Sequence, residues 1–148
     1  MKYALLLFAI LLLAACAKKQ DVLPDPAATV AGTYPLTYVR SDSAGVKLYE
    51  YNLPYTAGTN TLSGTIVARR DSAAVIFLTQ TIKATGYSDQ TSVIGSVRLQ
   101  ANGSGYDMYL SSQKIGTANG TTLSIDEQQT DPATGTVYHD WITGRKAQ

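Results

Sequence analysis

The chain predicts an all-β domain, an antiparallel meander of about eight strands closing as a small barrel. Three features of the sequence carry that expectation. Apolar and polar residues alternate with a period of two in successive short segments; clusters of Gly, Asn, Asp and Ser separate the segments at short and fairly even spacing; and beyond the first 15 residues no stretch has the length and periodicity of the crossover helix that parallel strands need. Closure into a barrel removes the exposed edges of an open sheet. A two-sheet β-sandwich is the alternative reading of the same pattern.

The amino terminus stands apart from this pattern. Met1-Lys2 gives a short positive start, Tyr3 to Leu13 is almost wholly apolar, and Leu13-Ala14-Ala15 leads into Cys16, the one cysteine of the chain. This is the anatomy of a secretory signal peptide over residues 1–15. Its apolar run is shorter than the roughly 20 residues that span a bilayer as a helix. An ordinary secreted chain or an N-terminal membrane anchor is the plainer reading of the same run. Residues 16–30 carry prolines, mixed charge and no periodicity, and read as a flexible tether. Extended, the part after the cysteine would reach about 46 to 50 Å.

Strand patterns begin after Ala31, and residues 31–148 form the expected barrel domain. Tyr34, Leu36 and Tyr38 alternate with Pro35, Thr37 and Val39 up to a turn cluster at Ser41 to Gly45. Val46 to Leu53 makes a second strand, and Pro54 to Asn60 a longer loop. In Thr61 to Arg69, Leu62, Gly64, Ile66 and Ala68 share one face; Arg70 to Ser72 is the next turn. Ala73 to Ala84 is apolar on both faces, as a strand covered on two sides would be. Thr91 to Gln100 places Val93, Val97 and Leu99 together. Ala101-Asn102-Gly103-Ser104-Gly105 is the strongest hairpin signal, and Tyr106 to Ser111 returns from it. A short segment around Lys114 to Thr117, a turn at Asn119-Gly120 and a strand through Leu123 and Ile125 follow. After the turn Asp131 to Gly135, Thr136 to Thr143 closes the meander with Val137, His139 and Trp141 opposite Tyr138, Asp140 and Ile142.

Composition narrows the function. Loss of Lys2 with the signal peptide leaves 11 basic residues against 11 acidic ones, a neutral domain without the basic excess of a nucleic-acid surface. Cys16 is the only thiol of the chain, which leaves no second cysteine for a disulfide or a cysteine metal site. His139 is the only histidine, and its neighbour Asp140 points to the other face of a strand, so the pair is no catalytic dyad. Glycines lie between strands, not ahead of helices, so phosphate loops are absent. These readings predict no enzyme, no metal, no cofactor and no nucleic acid, and a chain acting as a monomer. Tyrosine is abundant, 10 residues against 2 Phe and 1 Trp, and its flat face with a polar tip suits small ligands or protein surfaces. Tyr38, Phe77, Met108 and Trp141 are the expected lining of an interior or mouth.

Three resemblances add to this. Leu13-Ala14-Ala15-Cys16 resembles the bacterial lipobox, which implies cleavage after Ala15 and acylation of Cys16; acyl chains contribute about 0.8 kcal/mol per buried CH₂, and Lys18-Lys19 beside them would meet anionic headgroups. Ala31-Gly32-Thr33-Tyr34 is similar to the Gly-x-Trp entry of lipocalin-like barrels, with Tyr in place of Trp. Trp141-Ile142-Thr143-Gly144-Arg145-Lys146 resembles the ending of small Bacteroidota-type lipoproteins of that kind. The resemblance implies that Arg145 or Lys146 caps Tyr34, that the barrel binds a small apolar or amphipathic ligand, and that the protein sits lipid-anchored in the bacterial envelope, at the outer membrane. A protein-interaction module, an enzyme inhibitor or a subunit of an envelope complex with a filled barrel, is the alternative. Asp42-Ser43-Ala44 and Asp71-Ser72-Ala73 match the Bacteroidota O-glycosylation pattern and mark Ser43 and Ser72, although Asp and Ser also favour turns by local hydrogen bonding.

Overall fold

A computed structural model describes residues 25–147. Its strands are β1 (Gly32–Ser43), β2 (Val46–Asn52), β3 (Tyr55–Ala57), β4 (Asn60–Ser72), β5 (Val75–Ala84), β6 (Gln90–Asn102), β7 (Gly105–Leu110), β8 (Gln113–Ala118), β9 (Thr122–Thr130) and β10 (Val137–Arg145). A helix, α1 (Pro26–Val30), precedes them. From β4 to β10 each strand pairs antiparallel with the next, β10 pairs with β1, and the first residues of β1 pair back onto β4. The protein is therefore an eight-stranded, closed, lipocalin-like antiparallel barrel with two additional strands. The strand pairings and the core cluster lie within the stretch from Asp25 to Ala147, so it folds as one unit with β2 and β3 as its open edges.

The two additional strands fork the wall. β1 contacts β4 only over Gly32 to Pro35; beyond that it gains β2 along Tyr38 to Ser43, while the start of β4 gains β3. β2 and β3 end the strand order on either side of this gap. One end of the barrel is thus cut open at the side. The other end is plugged by α1.

The plug forms because Asp25-Pro26 is a helix start: the Asp25 side chain accepts from the Ala28 amide at 2.8 Å, and Pro26 loses no bond in the first turn. Ala27 and Val30 are fully buried. The Ala27 amide donates to Ala73 at 3.0 Å, and Asp25 pairs with Arg70 at 2.7 Å. The last five residues of the expected tether, Pro26–Val30, are therefore helical. Tyr34 enters the core beside the plug, donating its hydroxyl to the Val30 carbonyl at 2.5 Å; burial pushes its hydroxyl up to about 12. The Lys146 ammonium lies 5.1 Å from the Tyr34 ring and donates to the Ala31 carbonyl at 2.8 Å. Of the two basic residues that the entry motif pointed to, Lys146 makes the contact, and Arg145 is exposed.

The expected strands hold, with local corrections. β1 runs to Ser43, leaving only Ala44-Gly45 as the turn, and the loop after Leu53 contains β3. β5 is covered on its inner face alone: Ile76 and Leu78 are fully buried, whereas Phe77 lies outside beneath the Arg69 guanidinium. In β6 the extra residue Ile94 sits between the pairs Leu78–Gly95 and Thr79–Val93. That bulge separates Val93, which is 66% exposed, from Val97 and Leu99 in the core.

Candidate functional site

The interior is graded along its axis. Next to α1, Tyr34, Ile66, Leu78, Met108, Ile115 and Leu123 pack with no exposure. Toward the forked end the inward positions turn mixed. One row across the wall is Tyr51–Val39–Ile142–Ile125, and the next row outward is Tyr49–Ser41–Asp140–Glu127, read directly from the pairing of β2, β1, β10 and β9. Strand period places every second residue inside, so four adjacent strands deliver an apolar step and then a polar one.

The forked end is not filled. Two adjoining lobes of about 360 Å³ each open there. The first is walled by Val39, Arg40, Tyr49, Tyr51, Leu53, Leu62 and Ile82; the second by Ile94, Leu110, Ile125, Glu127 and Gln129. Gln80, Asp140 and Ile142 belong to both. Tyr49 and Tyr51 stack with ring centroids 6.2 Å apart, and Tyr51 meets Tyr55 of β3 at 5.1 Å, so a row of tyrosines lines the fork. The Tyr49 hydroxyl is pushed up by burial and by the nearby Asp140 carboxylate. This volume and mixed lining suit a small amphipathic molecule.

Of the four residues expected to line the interior, one faces it. Met108 is fully buried in the packed half, below the lobes. Tyr38 is turned out by a bulge: Leu36 pairs with Gly144 and Tyr38 with Thr143, so Thr37 is extra and the faces of β1 exchange. Its hydroxyl donates to Glu50 at 2.8 Å. Phe77 is outside because Ile76 and Leu78 hold the inner positions. Trp141 is outside because Ile142 is locked inside between Val39 and Ile125. Trp141 stacks on His139 at 3.6 Å and lies 4.8 Å from the Arg40 guanidinium.

These outward residues form a polar belt on β2, β1, β10 and β9. Arg40 grips Asp42 through two bonds of 2.8 and 2.6 Å, which holds the Asp42 carboxyl below the usual carboxylate range. Glu50 accepts from Lys47 at 2.9 Å. His139 Nε2 meets Asp126 Oδ1 at 2.5 Å, a diagonal cross-strand pair that adjacency in sequence does not reveal. No serine, threonine or cysteine is hydrogen-bonded to that imidazole among the described residues. Nor do three His, Cys, Asp or Glu side chains converge there in the manner of a metal site.

Ser43 is half-buried at the end of β1, paired with Val46 and Tyr138, and Ser72 is exposed at the end of β4. Leu13, Ala14, Ala15 and Cys16 lie outside the described residues. No family model matches the sequence, and no curated protein matches it significantly.

Proposed function

We propose that this chain is an envelope lipoprotein, held on a membrane by acyl chains on Cys16, whose barrel takes a small amphipathic ligand into its forked end. The observation that carries the binding half of the reading is the unfilled interior: two adjoining lobes of about 360 Å³ over an apolar floor, where a barrel serving only as a scaffold would be packed with its own side chains. The lipobox-like residues carry the anchoring half. Cys16 precedes Asp25 by nine residues, a span of about 30 Å when extended, and Asp25 starts the plug. On this reading the anchor joins the chain on the side of the plug, through a tether long enough to leave the fork open to a ligand arriving from the aqueous side. The protein works without a cofactor and as a monomer, and Ser43 and Ser72 remain its two candidate glycosylation sites, the exposed Ser72 the more accessible.

Native mass spectrometry of the mature chain purified from its own host tests this. A small molecule that co-purifies one to one supports the reading. An empty barrel bound stoichiometrically to a protein partner overturns it in favour of an interaction module.

A further inference from the structure

We infer that the forked cavity selects a cationic amphiphile, an organic ammonium whose apolar body rests on Ile142, Ile125 and Leu110 and whose head sits between Asp140, Glu127 and the Tyr49 ring. The inference rests on the reading that this cavity takes a small amphiphile and adds the charge of its head.

The other carboxylates of the described residues are paired, capped or exposed at the surface. Asp25 pairs with Arg70, Asp42 with Arg40, Glu50 with Lys47, Asp89 with Lys83, Asp107 with Lys114, and Asp126 with His139, all at 2.9 Å or less. Asp131 is satisfied by the Ala133 amide and the Thr134 hydroxyl of its own turn. Asp71 stands exposed at a strand end. Asp140 and Glu127 differ from all of these. They face each other across β10 and β9, both line the cavity, and neither has a cationic partner among the described residues.

Directly opposed like charges on one sheet face destabilise it, and a partly enclosed site weakens the screening that water would give. The cations of the described residues do not pair with these two: Arg145 is exposed, and Arg40, which borders the first lobe, directs its charge elsewhere. The Arg40 guanidinium is turned to Asp42 and Trp141 on the outer face, Arg69 and Arg98 cover Phe77 and Tyr109, and Lys146 covers Tyr34. The forked cavity thus holds over its apolar floor a pair of carboxylates with no cationic partner among the described residues. Tyr49, Tyr51 and Tyr55 add ring faces that attract an ammonium and not a carboxylate.

A matched probe series tests this: 4-phenylbutylamine, 4-phenylbutanol and 4-phenylbutyrate, titrated by calorimetry at pH 7 into residues 17–148 and into the D140N/E127Q variant. The amine is expected to bind at least tenfold more tightly than the alcohol, and the butyrate more weakly than the alcohol. In the variant the amine should fall to the affinity of the alcohol, whose own affinity stays as it was and shows that the cavity survives. Equal binding of amine and alcohol by the unmodified chain overturns the charge inference and leaves the cavity reading standing. An amine preference that persists in the variant also overturns it. Binding of none of the three refutes the cavity reading itself.

Discussion

Lys146 holds the plugged end of the barrel together, and its removal gives a measurable loss. Its ammonium donates to the Ala31 carbonyl at 2.8 Å, reaches Thr29 at 3.4 Å, and lies over the Tyr34 ring. Lys146→Met keeps the apolar stem and deletes the charge. A hydrogen bond from a charged donor contributes about 1.5 to 3 kcal/mol; water reaches this half-buried site, so the lower end applies. The ring contact adds about 0.5 kcal/mol. The expected loss is about 2 kcal/mol. For a domain of this size that lowers Tm by roughly 6 to 10 °C. Urea unfolding followed by far-UV circular dichroism, with thermal melts alongside, measures it. A double-mutant cycle with Tyr34→Leu isolates the ring contact, because the cost of Lys146→Met should shrink by about 0.5 kcal/mol once the ring is gone. A Lys146→Met variant within about 0.5 kcal/mol of the parent would refute the assignment of Lys146 as a latch.

Gly116→Ala should destabilise by about 3 kcal/mol or more, because a Cβ there would stand 2.0 Å from the Ser124 carbonyl oxygen, on a backbone with φ of +156°; a soluble variant with parental Tm refutes the pairing of β8 with β9. Acid should weaken the fold. The Asp42, Asp25 and Asp107 carboxyls are held down chiefly by hydrogen bonds from Arg40, Arg70 and Lys114, so their stabilisation is full above the unfolded value near 3.9 and is lost as pH falls through the lower folded values. Urea midpoints at pH 6, 4, 3 and 2 should decline across that window, less steeply in Arg40→Gln, and a flat series contradicts this. Cys16→Ser should abolish incorporation of labelled fatty acid and leave the chain as an unprocessed precursor; continued labelling would place the lipid elsewhere. Ile142→Trp should fill the shared floor of the two lobes and cut 4-phenylbutylamine affinity at least tenfold while Tm stays within a few degrees, and unchanged binding would move the ligand out of the barrel.

Strand order, turns and closure were readable because each rests on local chemistry. Asn102-Gly103 and Asn119-Gly120 supply the left-handed backbone that tight turns require, and the inward face of β4, Leu62 through Ala68, survives from pattern to structure unchanged. The basic cap over Tyr34 was also legible: Lys146 lies over its ring, and Gly32, with a φ of +146°, leaves the room that the Lys146 stem occupies. The plug was missed for an identifiable reason. Asp25-Pro26 carries the chemistry of a helix start, yet five residues are too few for any periodicity to show, and prolines in a polar stretch read equally well as a tether.

The site was less legible, because side-chain parity survives only until the first bulge. An extra residue moves every later side chain of a strand to the other face. Thr37, Leu48, Ile94 and Ile115 are extra in their ladders, and each is set by pairing that no single segment encodes. The bulge at Thr37 exchanges Tyr38 for Val39 at the cavity wall, and with Val39 comes Ser41, the neighbour of Asp140. Large aromatics were also the wrong guide to the interior. Phe77 and Trp141 can stay outside because cations cover their faces, at 5.2 Å for Arg69 and 4.8 Å for Arg40, an arrangement that hides apolar surface and uses up positive charge together. The belt and the cavity are therefore coupled. Had Arg40 turned inward, it would have neutralised Asp140 and exposed Trp141; turned outward and bound to Asp42, it leaves the interior negative, and the same strand alternation that covers the outer aromatics gives the cavity its sign.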